Sequence, residues 1–214
     1  MQDLVLIGAG GFGREVAWLV NNINRFQETW NLIGFIDNNS HLEGSIINGL
    51  PVLGGMEWFD SRESAISVAC TIGKPKLRKK VISEALEFSN VRFVTLIDPS
   101  VIMSEWLEVG QGSIICAGSI LTVNISIGKH VIVNLDCTIG HDAVIEDFCT
   151  LYPSVNLSGN TKLNNFVELG TGSQIIQGII IEEDVIVGAG SVVVRNLPPN
   201  CTAVGSPAKP IKFN

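Results

Sequence analysis

The most regular feature of this sequence is a hydrophobic residue that recurs every six positions through its second half. Starting at Ile97, seventeen consecutive positions spaced by six carry Ile, Leu, Val or Met, and the last of them is Val193. The residue two places before each of these is small or apolar from Val101 onward. Side chains alternate between the two faces of a strand, so each six-residue unit predicts a short strand followed by a corner. A helix, with 3.6 residues per turn, does not fit a strict period of six.

The repeat predicts a solenoid, because a single six-residue unit buries its apolar residues only against stacked neighbours. A solenoid scaffold without catalytic activity is the alternative that this pattern leaves open. Residues 1–95 lack the repeat and instead alternate strand and helix, which is typical of a small parallel α/β sheet. We expect a Rossmann-like domain over 1–95, a β-helix over 96–200 and a C-terminal segment over 201–214. In the first domain, strands are predicted at 32–39, 65–73 and 91–97, and a helix at 76–88.

The stretch LVLIGAGGFGREVAWLVNN predicts a strand, a glycine loop and a helix. Gly8, Gly10 and Gly13 match GxGxxG, and Asp37 ends the next predicted strand, where an acid that binds ribose belongs. The start of such a helix favours a phosphate. The second half of a dinucleotide fold is missing, so we expect one nucleotide here. A tight turn without a ligand and a small NAD-binding oxidoreductase are the alternatives.

Composition narrows the class of protein further. Apolar residues make up 46% and charged residues 16% of the chain, which predicts a folded protein with a substantial core. The net charge of −7 argues against binding of nucleic acid along the surface. No apolar run is long enough to span a membrane, and no signal-peptide pattern follows Met1. Five cysteines without metal-ligand spacing favour a reduced, cytoplasmic protein.

Seven segments, in their order, resemble one family. They are LVLIGAGGFGREVA, FIDNN, TIGKPKLRKKV, IDPSV, NLDCTIGHDAVIEDF, LSGNTKLN and VGSPAK. Together they resemble the NeuD/PglD-like family of sialic acid O-acetyltransferases and UDP-amino-sugar N-acetyltransferases, which are hexapeptide-repeat enzymes. The resemblance implies a left-handed parallel β-helix with three six-residue units per coil. It also implies a homotrimer with active sites between subunits, and acetyl-CoA as co-substrate.

The activity that the resemblance implies is direct acetylation of the amino group of a nucleotide-linked amino sugar in bacterial glycan biosynthesis. The nucleotide (UDP, dTDP or GDP) stays open. O-acetylation of sialic acid or a related sugar is one alternative, and a non-catalytic scaffold that binds a sugar nucleotide is another. No metal is expected, since His130 and His141, the histidines of the repeat, are eleven residues apart and do not stack.

His141 and Asp142 are the candidate catalytic residues. In the six-residue pattern, Cys137 and Ile139 point inward, and His141 and Asp142 fall on the corner that follows. The resemblance implies that His141 is the general base, for which a side chain that titrates near neutral pH is suited. A carboxylate would orient the imidazole. The sequence leaves open whether Asp142 or another carboxylate faces the ring.

The remaining candidate residues follow from the resemblance and from stacking. Positions eighteen residues apart are adjacent in successive coils, which places Gly159 beside His141. Contacts to acetyl-CoA are expected at Thr150, Gly159, Gly170, Ala189 and Lys209. Contacts to the nucleotide sugar are expected at Gly10, Gly11, Phe12, Gly13, Arg14, Asp37, Asn38 and Gly73.

Overall fold

The structure is a computed structural model that describes residues 1–213. It divides into a compact unit over Met1–Pro99 and a second unit that begins at Ser100. The elements of the first unit are β1 (Gln2–Ile7), α1 (Gly11–Phe26), β2 (Trp30–Ile36), β3 (Ile46–Ile47), β4 (Leu50–Gly54), β5 (Ile66–Cys70), α2 (Pro75–Ala85), β6 (Val91–Phe93) and β7 (Leu96–Ile97).

The first unit contains a six-stranded sheet in the order β3-β4-β2-β1-β5-β6. All neighbours are parallel except β3 and β4. The central strand β1 is apolar and buried from Leu4 to Ile7, as expected where both faces of a parallel sheet are covered. The predicted strand–helix alternation is confirmed. The sequence pattern missed β3 and β4, since β3 has two residues and β4 carries Pro51, which is unfavourable within a strand.

The second unit contains short strands only. They are β8 (Ile102–Met103), β9 (Leu107–Val109), β10 (Ile114–Ile115), β11 (Ile120–Leu121), β12 (Ile125–Ile127), β13 (Ile132–Val133), β14 (Thr138–Ile139), β15 (Val144–Ile145), β16 (Thr150–Leu151), β17 (Asn156–Leu157), β18 (Lys162–Leu163), β19 (Glu168–Leu169), β20 (Gln174–Ile175), β21 (Ile180–Ile181), β22 (Ile186–Val187), β23 (Val192–Val193), β24 (Cys201–Gly205) and β25 (Ala208–Phe213).

These strands form three parallel sheets, which are the faces of a β-helix. Face A runs β10-β13-β16-β19-β22, face B runs β8-β11-β14-β17-β20-β23, and face C runs β9-β12-β15-β18-β21. Each strand pairs with the one eighteen residues further on, as Thr138 pairs with Asn156. A coil is therefore three six-residue units. Corner BC is the turn from a strand of face B to the next strand of face C, and corners CA and AB are named likewise.

The inward positions build the core. Every sixth residue from Ile115 to Val193 is at most 2% exposed. The first predicted positions keep the register, since Met103 pairs with Leu121 and Val109 with Ile127. They are less buried, because Met103 is 39% exposed and Ile97 and Val109 are half-buried. Met103 belongs to β8, which ends face B, so within the second unit a further coil covers it on one side only. The regular burial thus starts about one coil later than the sequence pattern predicts.

Each regular corner contains one residue in the left-handed region of backbone conformation. At corner BC these residues include Asn124, Asp142 and Asn160, with φ of 54°, 59° and 52°. Asn and Asp tolerate this conformation better than other residues with a Cβ. The backbone N–H of Asp142 donates to the carbonyl of Val123 in the preceding coil, at 3.1 Å. Backbone hydrogen bonds therefore connect successive corners as regularly as they connect successive strands.

The C-terminal residues close the last coil differently. Leu197 forms a bridge with Ile181, so the six-residue step does not continue after Val193. Strand β24 adds to face A in parallel with β22, and β25 returns antiparallel to β24. None of the helices in residues 1–213 is long and apolar enough to cross a membrane.

Removal of an inward side chain should destabilise the β-helix. Leu157 is buried on face B, so Leu157→Ala should lower the free energy of unfolding by about 2–5 kcal/mol. Ile102, on the same face but 65% exposed, is the matched control, and Ile102→Ala should cost less than about 0.5 kcal/mol. Denaturant unfolding followed by circular dichroism compares the two, and equal losses would contradict the assignment of faces.

Candidate active site

The candidate catalytic pair lies at corner BC, between β14 and β15. The inward neighbours Cys137 and Ile139 are buried, as the six-residue pattern predicts. The side chains of His141 and Asp142 are 51% and 46% exposed. The buried residues thus hold the backbone in place, and the corner presents both polar side chains at the surface.

Asp142 is the carboxylate that faces the imidazole of His141, which answers the question that the sequence leaves open. Its Oδ2 lies 2.8 Å from His141 Nδ1. The hydrogen bond from His141, followed by one from Asn124, holds the pKa of Asp142 below its ordinary value. An ionised carboxylate only accepts hydrogen bonds, so Nδ1 is the donor, and the lone pair of the neutral ring is on Nε2. That tautomer is the one a general base requires.

Gly159 makes room for the imidazole of His141. The predicted adjacency of Gly159 and His141 is confirmed, since a Cβ added at Gly159 would lie 2.5 Å from Nε2 and 2.6 Å from Cε1. Any larger residue would have to push the imidazole aside. Glycine at this place therefore lets the ring lie directly against the next coil.

The buried cysteines and His130 are poor alternatives to His141 as a catalytic group. Burial raises the pKa of the Cys137 thiol to about 12 and that of Cys70 to about 11, so both stay protonated at neutral pH and are poor nucleophiles. His130 lies at corner CA and stacks on Phe148, with 5.3 Å between ring centroids. No group of three His, Cys, Asp or Glu side chains in residues 1–213 could hold a metal ion.

The residues expected to contact acetyl-CoA lie on different corners. Gly159 shares corner BC with His141, whereas Gly170 and Ala189 lie at corner AB. Those two are adjacent, because a Cβ on Gly170 would lie 2.5 Å from the backbone nitrogen of Ala189. Lys209 is exposed on β25, opposite Val204. Face B separates corners AB and BC, so one chain does not bring Gly170 and Ala189 to His141.

Thr150 does not occupy the position expected of a residue that binds a cofactor. It points outward in the six-residue pattern, yet it is 1% exposed on face A, between Ile132 and Glu168. The pattern identifies which side chains point away from the core but does not tell which of these are covered by other parts of the chain. Thr150 therefore offers no accessible surface to a ligand in this chain.

Arg195 is a candidate that the reading of the sequence missed. Strands β14, β17, β20 and β23 pair in register, so the positions after His141 at corner BC are Gly159, Gln177 and Arg195. Arg195 is exposed. Three strand spacings place it about 14 Å from His141 along the axis of the β-helix. Counting eighteen residues for two coils beyond Gly159 would have found it.

In the first unit, the glycines of the loop before α1 differ in their surroundings: Gly10 is open and Gly13 is closely packed. Gly10 is the N-cap of α1 and makes no side-chain capping bond, and a Cβ added there would meet nothing within 4 Å. The first backbone N–H groups of α1 are therefore available to an anion. Gly13, in contrast, is buried, and a Cβ there would overlap the carbonyl oxygen of Gly8. It permits the close packing of α1 against the end of β1.

The carboxylate of Asp37 ties this loop to the end of β2. Its Oδ2 accepts from the backbone N–H of Ala9 at 2.9 Å, and its Oδ1 accepts from Asn39 at 3.0 Å. Asp37 and Asn38 line a largely apolar cavity of about 220 Å³ at the carboxyl ends of the central strands. The other lining residues are Ile7, Gly8, Ile36, Met56, Ile72, Leu77 and Val81.

The other predicted residues of the first unit lie outside this cavity lining. The carbonyl of Gly73 accepts from Arg78 Nη1 at 2.7 Å, and Arg78 is itself buried. Gly73 follows Ile72 of the cavity lining and is held in place by Arg78. Phe12 is half-buried and Arg14 exposed on the first turn of α1. The structure thus brings Gly8, Asp37 and Asn38 together, with the open start of α1 as a separate feature of the same loop.

Comparisons with known proteins found relatives that match the first unit and relatives that match the whole chain. Residues 3–85 match the PglD N-terminal domain family. GDP-perosamine N-acetyltransferase from Escherichia coli O157:H7 is 27% identical over 213 residues, which cover 97% of this chain and 95% of that protein. The structure of WeeI from Acinetobacter baumannii AYE is 30% identical, with a TM-score of 0.89, over 99% of this chain and 100% of that one. This chain belongs to the PglD/NeuD-like family of hexapeptide acyltransferases.

Another similar solved structure contains bound ligands. Perosamine N-acetyltransferase from Caulobacter crescentus, in an asparagine-for-histidine variant, was solved with CoA and GDP-perosamine. It is 27% identical to this chain and superposes with a TM-score of 0.90, over 99% of this chain and 98% of that one. The family and the arrangement of an α/β unit followed by a β-helix, both predicted from the sequence, are thereby confirmed.

Substitution at Gly159 should separate activity from stability. In Gly159→Ala, the new Cβ displaces the half-exposed imidazole of His141, which can swing away at little cost to the fold. We expect acetyl transfer to fall by roughly 10- to 100-fold, since a shift of about 1 Å in a reacting group has this effect. The melting temperature should change little. Ser158→Ala, which adds no atoms at the same corner, is the control, and a wild-type rate in Gly159→Ala would show that the ring position does not matter.

Proposed function

We propose that the protein is an acetyl-CoA-dependent N-acetyltransferase acting on the amino group of a nucleotide-linked amino sugar, in bacterial glycan biosynthesis. The observation that carries this proposal is the end-to-end similarity to a perosamine N-acetyltransferase solved with CoA and GDP-perosamine. A second perosamine N-acetyltransferase also matches over almost its whole length. Both relatives favour an amine as acceptor over the hydroxyl group of a sialic acid.

The geometry at corner BC supports catalysis by direct transfer. His141 Nε2 takes a proton from the acceptor amine as that nitrogen forms its bond to the carbonyl carbon of the thioester. The carbon–sulfur bond breaks, the sulfur leaves with the electron pair, and the proton on His141 neutralises it. Asp142, at Nδ1, stabilises the charge that the ring carries between these two events.

The proposed position of acetyl-CoA follows from the residues that stack in successive coils at corner BC. Gly159 lets the imidazole of His141 lie close to the next coil, and the thioester end would lie at the exposed part of that ring. Arg195, three coils further along, is placed at about the length of an extended pantetheine arm. Its guanidinium suits the phosphates at the other end, because arginine binds phosphate oxygens through two parallel hydrogen bonds. Gly170, Ala189 and Lys209 are the candidates on the opposite side of the cofactor.

A homotrimer is part of this proposal. Corner BC holds His141 and corner AB holds Gly170 and Ala189, with face B between them. A neighbouring subunit whose corner AB packs against corner BC would place both sets of residues around one cofactor. The active site would then lie between subunits.

We propose that the first unit binds the nucleotide of the acceptor. The open start of α1, at Gly10 and Gly11, offers backbone N–H groups for phosphate, with Arg14 exposed on the same turn. The neighbouring cavity, with apolar walls and the polar edge of Asp37 and Asn38, has the character of a site for a base and its ribose.

A histidine substitution tests the proposed activity. Purified protein is assayed for CoA release with UDP-, dTDP- and GDP-linked amino sugars, and His141→Asn should lower turnover by about 10²- to 10⁴-fold with little change in stability. His41→Asn, in an exposed turn of the first unit, is the matched control and should keep wild-type activity. Near-normal turnover in His141→Asn would overturn the assignment of the base. Failure of the wild type to acetylate any of these sugars would overturn the proposed function.

Substitution of Arg195 tests the assigned cofactor path. Loss of a charge-assisted hydrogen bond predicts that Arg195→Ala raises the KM for acetyl-CoA about 10-fold, with a small change in kcat. Lys162→Ala is the control, because Lys162 lies on face C and pairs with Glu146 at 3.4 Å. Acetyl-pantetheine lacks the distal phosphates, so wild type and Arg195→Ala should use it equally well. An unchanged KM for acetyl-CoA would exclude Arg195 from the site.

A further inference from the structure

Asn124 lies directly beneath Asp142 at corner BC, one coil earlier. Its Nδ2 donates to Asp142 Oδ1 at 3.3 Å. The other carboxylate oxygen, Oδ2, is the one at His141 Nδ1. The three side chains therefore form a continuous chain from amide to carboxylate to imidazole. We infer that Asn124 is a positioning residue for catalysis, which acts on His141 by holding the carboxylate of Asp142 in the plane that the imidazole needs.

Geometry is the first reason for this inference. Asp142 is nearly half exposed, so no packed wall prevents its carboxylate from rotating. A single hydrogen bond to His141 would leave that rotation free, whereas a second bond to the other oxygen restricts it. The backbone supports the arrangement, since Asn124 and Asp142 share the same left-handed conformation and the N–H of Asp142 bonds to the carbonyl of Val123.

The charges around Asp142 are the second reason. The residues stacked on its two sides are Asn124 and Asn160, both neutral, so His141 is the titratable group that faces it at this corner. The bond from Asn124 helps to hold the pKa of Asp142 low. Asp142 therefore stays ionised as pH falls through the range in which histidine takes up a proton, and its negative charge is present when the ring becomes positive.

Two other roles for Asn124 must be distinguished from this one. Asparagine suits the left-handed backbone in its own right, and Asn200 adopts the same conformation with φ of 57° at a different corner. Asn124 also lines a cavity of about 450 Å³ with Trp106, Glu105 and Glu108, where it could contact a substrate directly. A test must therefore separate the effect of the amide group from that of the backbone conformation. It must also distinguish an effect on kcat from an effect on KM.

Two substitutions at Asn124 make this separation. Asn124→Gly keeps the left-handed conformation without strain and removes the amide. We expect kcat to fall about 10-fold with both KM values within about twofold. The acid limb of the plot of log(kcat/KM) against pH should move to lower pH by about half a unit, because the imidazolium loses part of its carboxylate partner. Asn124→Asp also tolerates the conformation, and its added negative charge should move the same limb to higher pH.

The matched control is Asn200→Gly, which removes an asparagine from a left-handed corner away from His141. It should change stability about as much as Asn124→Gly and leave kcat and the pH profile unchanged. Wild-type kcat and pH profile in both Asn124 variants would overturn the inference, as would a loss confined to the KM of one substrate. If Asn124→Gly does not fold, the kcat of Asn124→Asp decides, and it should fall because an ionised carboxylate cannot donate a hydrogen bond to Asp142 Oδ1.

This inference rests on the proposed role of His141, and the two can fail separately. An inactive His141→Asn together with fully active Asn124 variants would refute only the role of Asn124. An active His141→Asn would refute the proposed base itself.

Discussion

The register of stacked coils is the constraint on which the rest of the second unit depends. Each strand from β8 to β23 is two or three residues long and could not persist alone, since it forms few hydrogen bonds and buries one or two side chains. Pairing with the strands eighteen residues before and after it satisfies its backbone groups, and the inward side chains then fill the interior. A one-residue slip would place Cys137 and Ile139 outside and break every neighbouring coil.

This register also fixes the backbone positions of the residues in the candidate site. His141 and Asp142 are at the surface, where side chains normally move, yet the backbone that carries them is bonded to the coil on either side. Asp142 N donates to Val123, and Asn160 N donates to the carbonyl of His141 at 2.8 Å. The left-handed conformation of Asp142 turns its side chain back towards the ring of the residue before it. A rigid scaffold is thus combined with an exposed pair of polar groups, as a catalytic site requires.

The two glycines that matter most both permit a close approach. Gly159 lets the imidazole of His141 lie against the next coil, and Gly13 lets α1 lie against the end of β1. Both belong to motifs that sequence reasoning interpreted as ligand contacts. For Gly13 the structure shows a packing role, and the loop around it is open at Gly10. Motif membership alone does not distinguish a glycine that supports a site from one that touches a ligand.

The sequence by itself determined the period of six, the division into an α/β unit and a β-helix, and the placement of His141 beside Gly159. These follow from which side chains are apolar and how many residues lie between them, and such local rules persist through the fold. Only the tertiary structure decided that Asp142 faces the ring and that Thr150 is buried. These facts depend on which side chains meet across coils and on what covers an outward position, and neither is encoded in the spacing of residues along the chain.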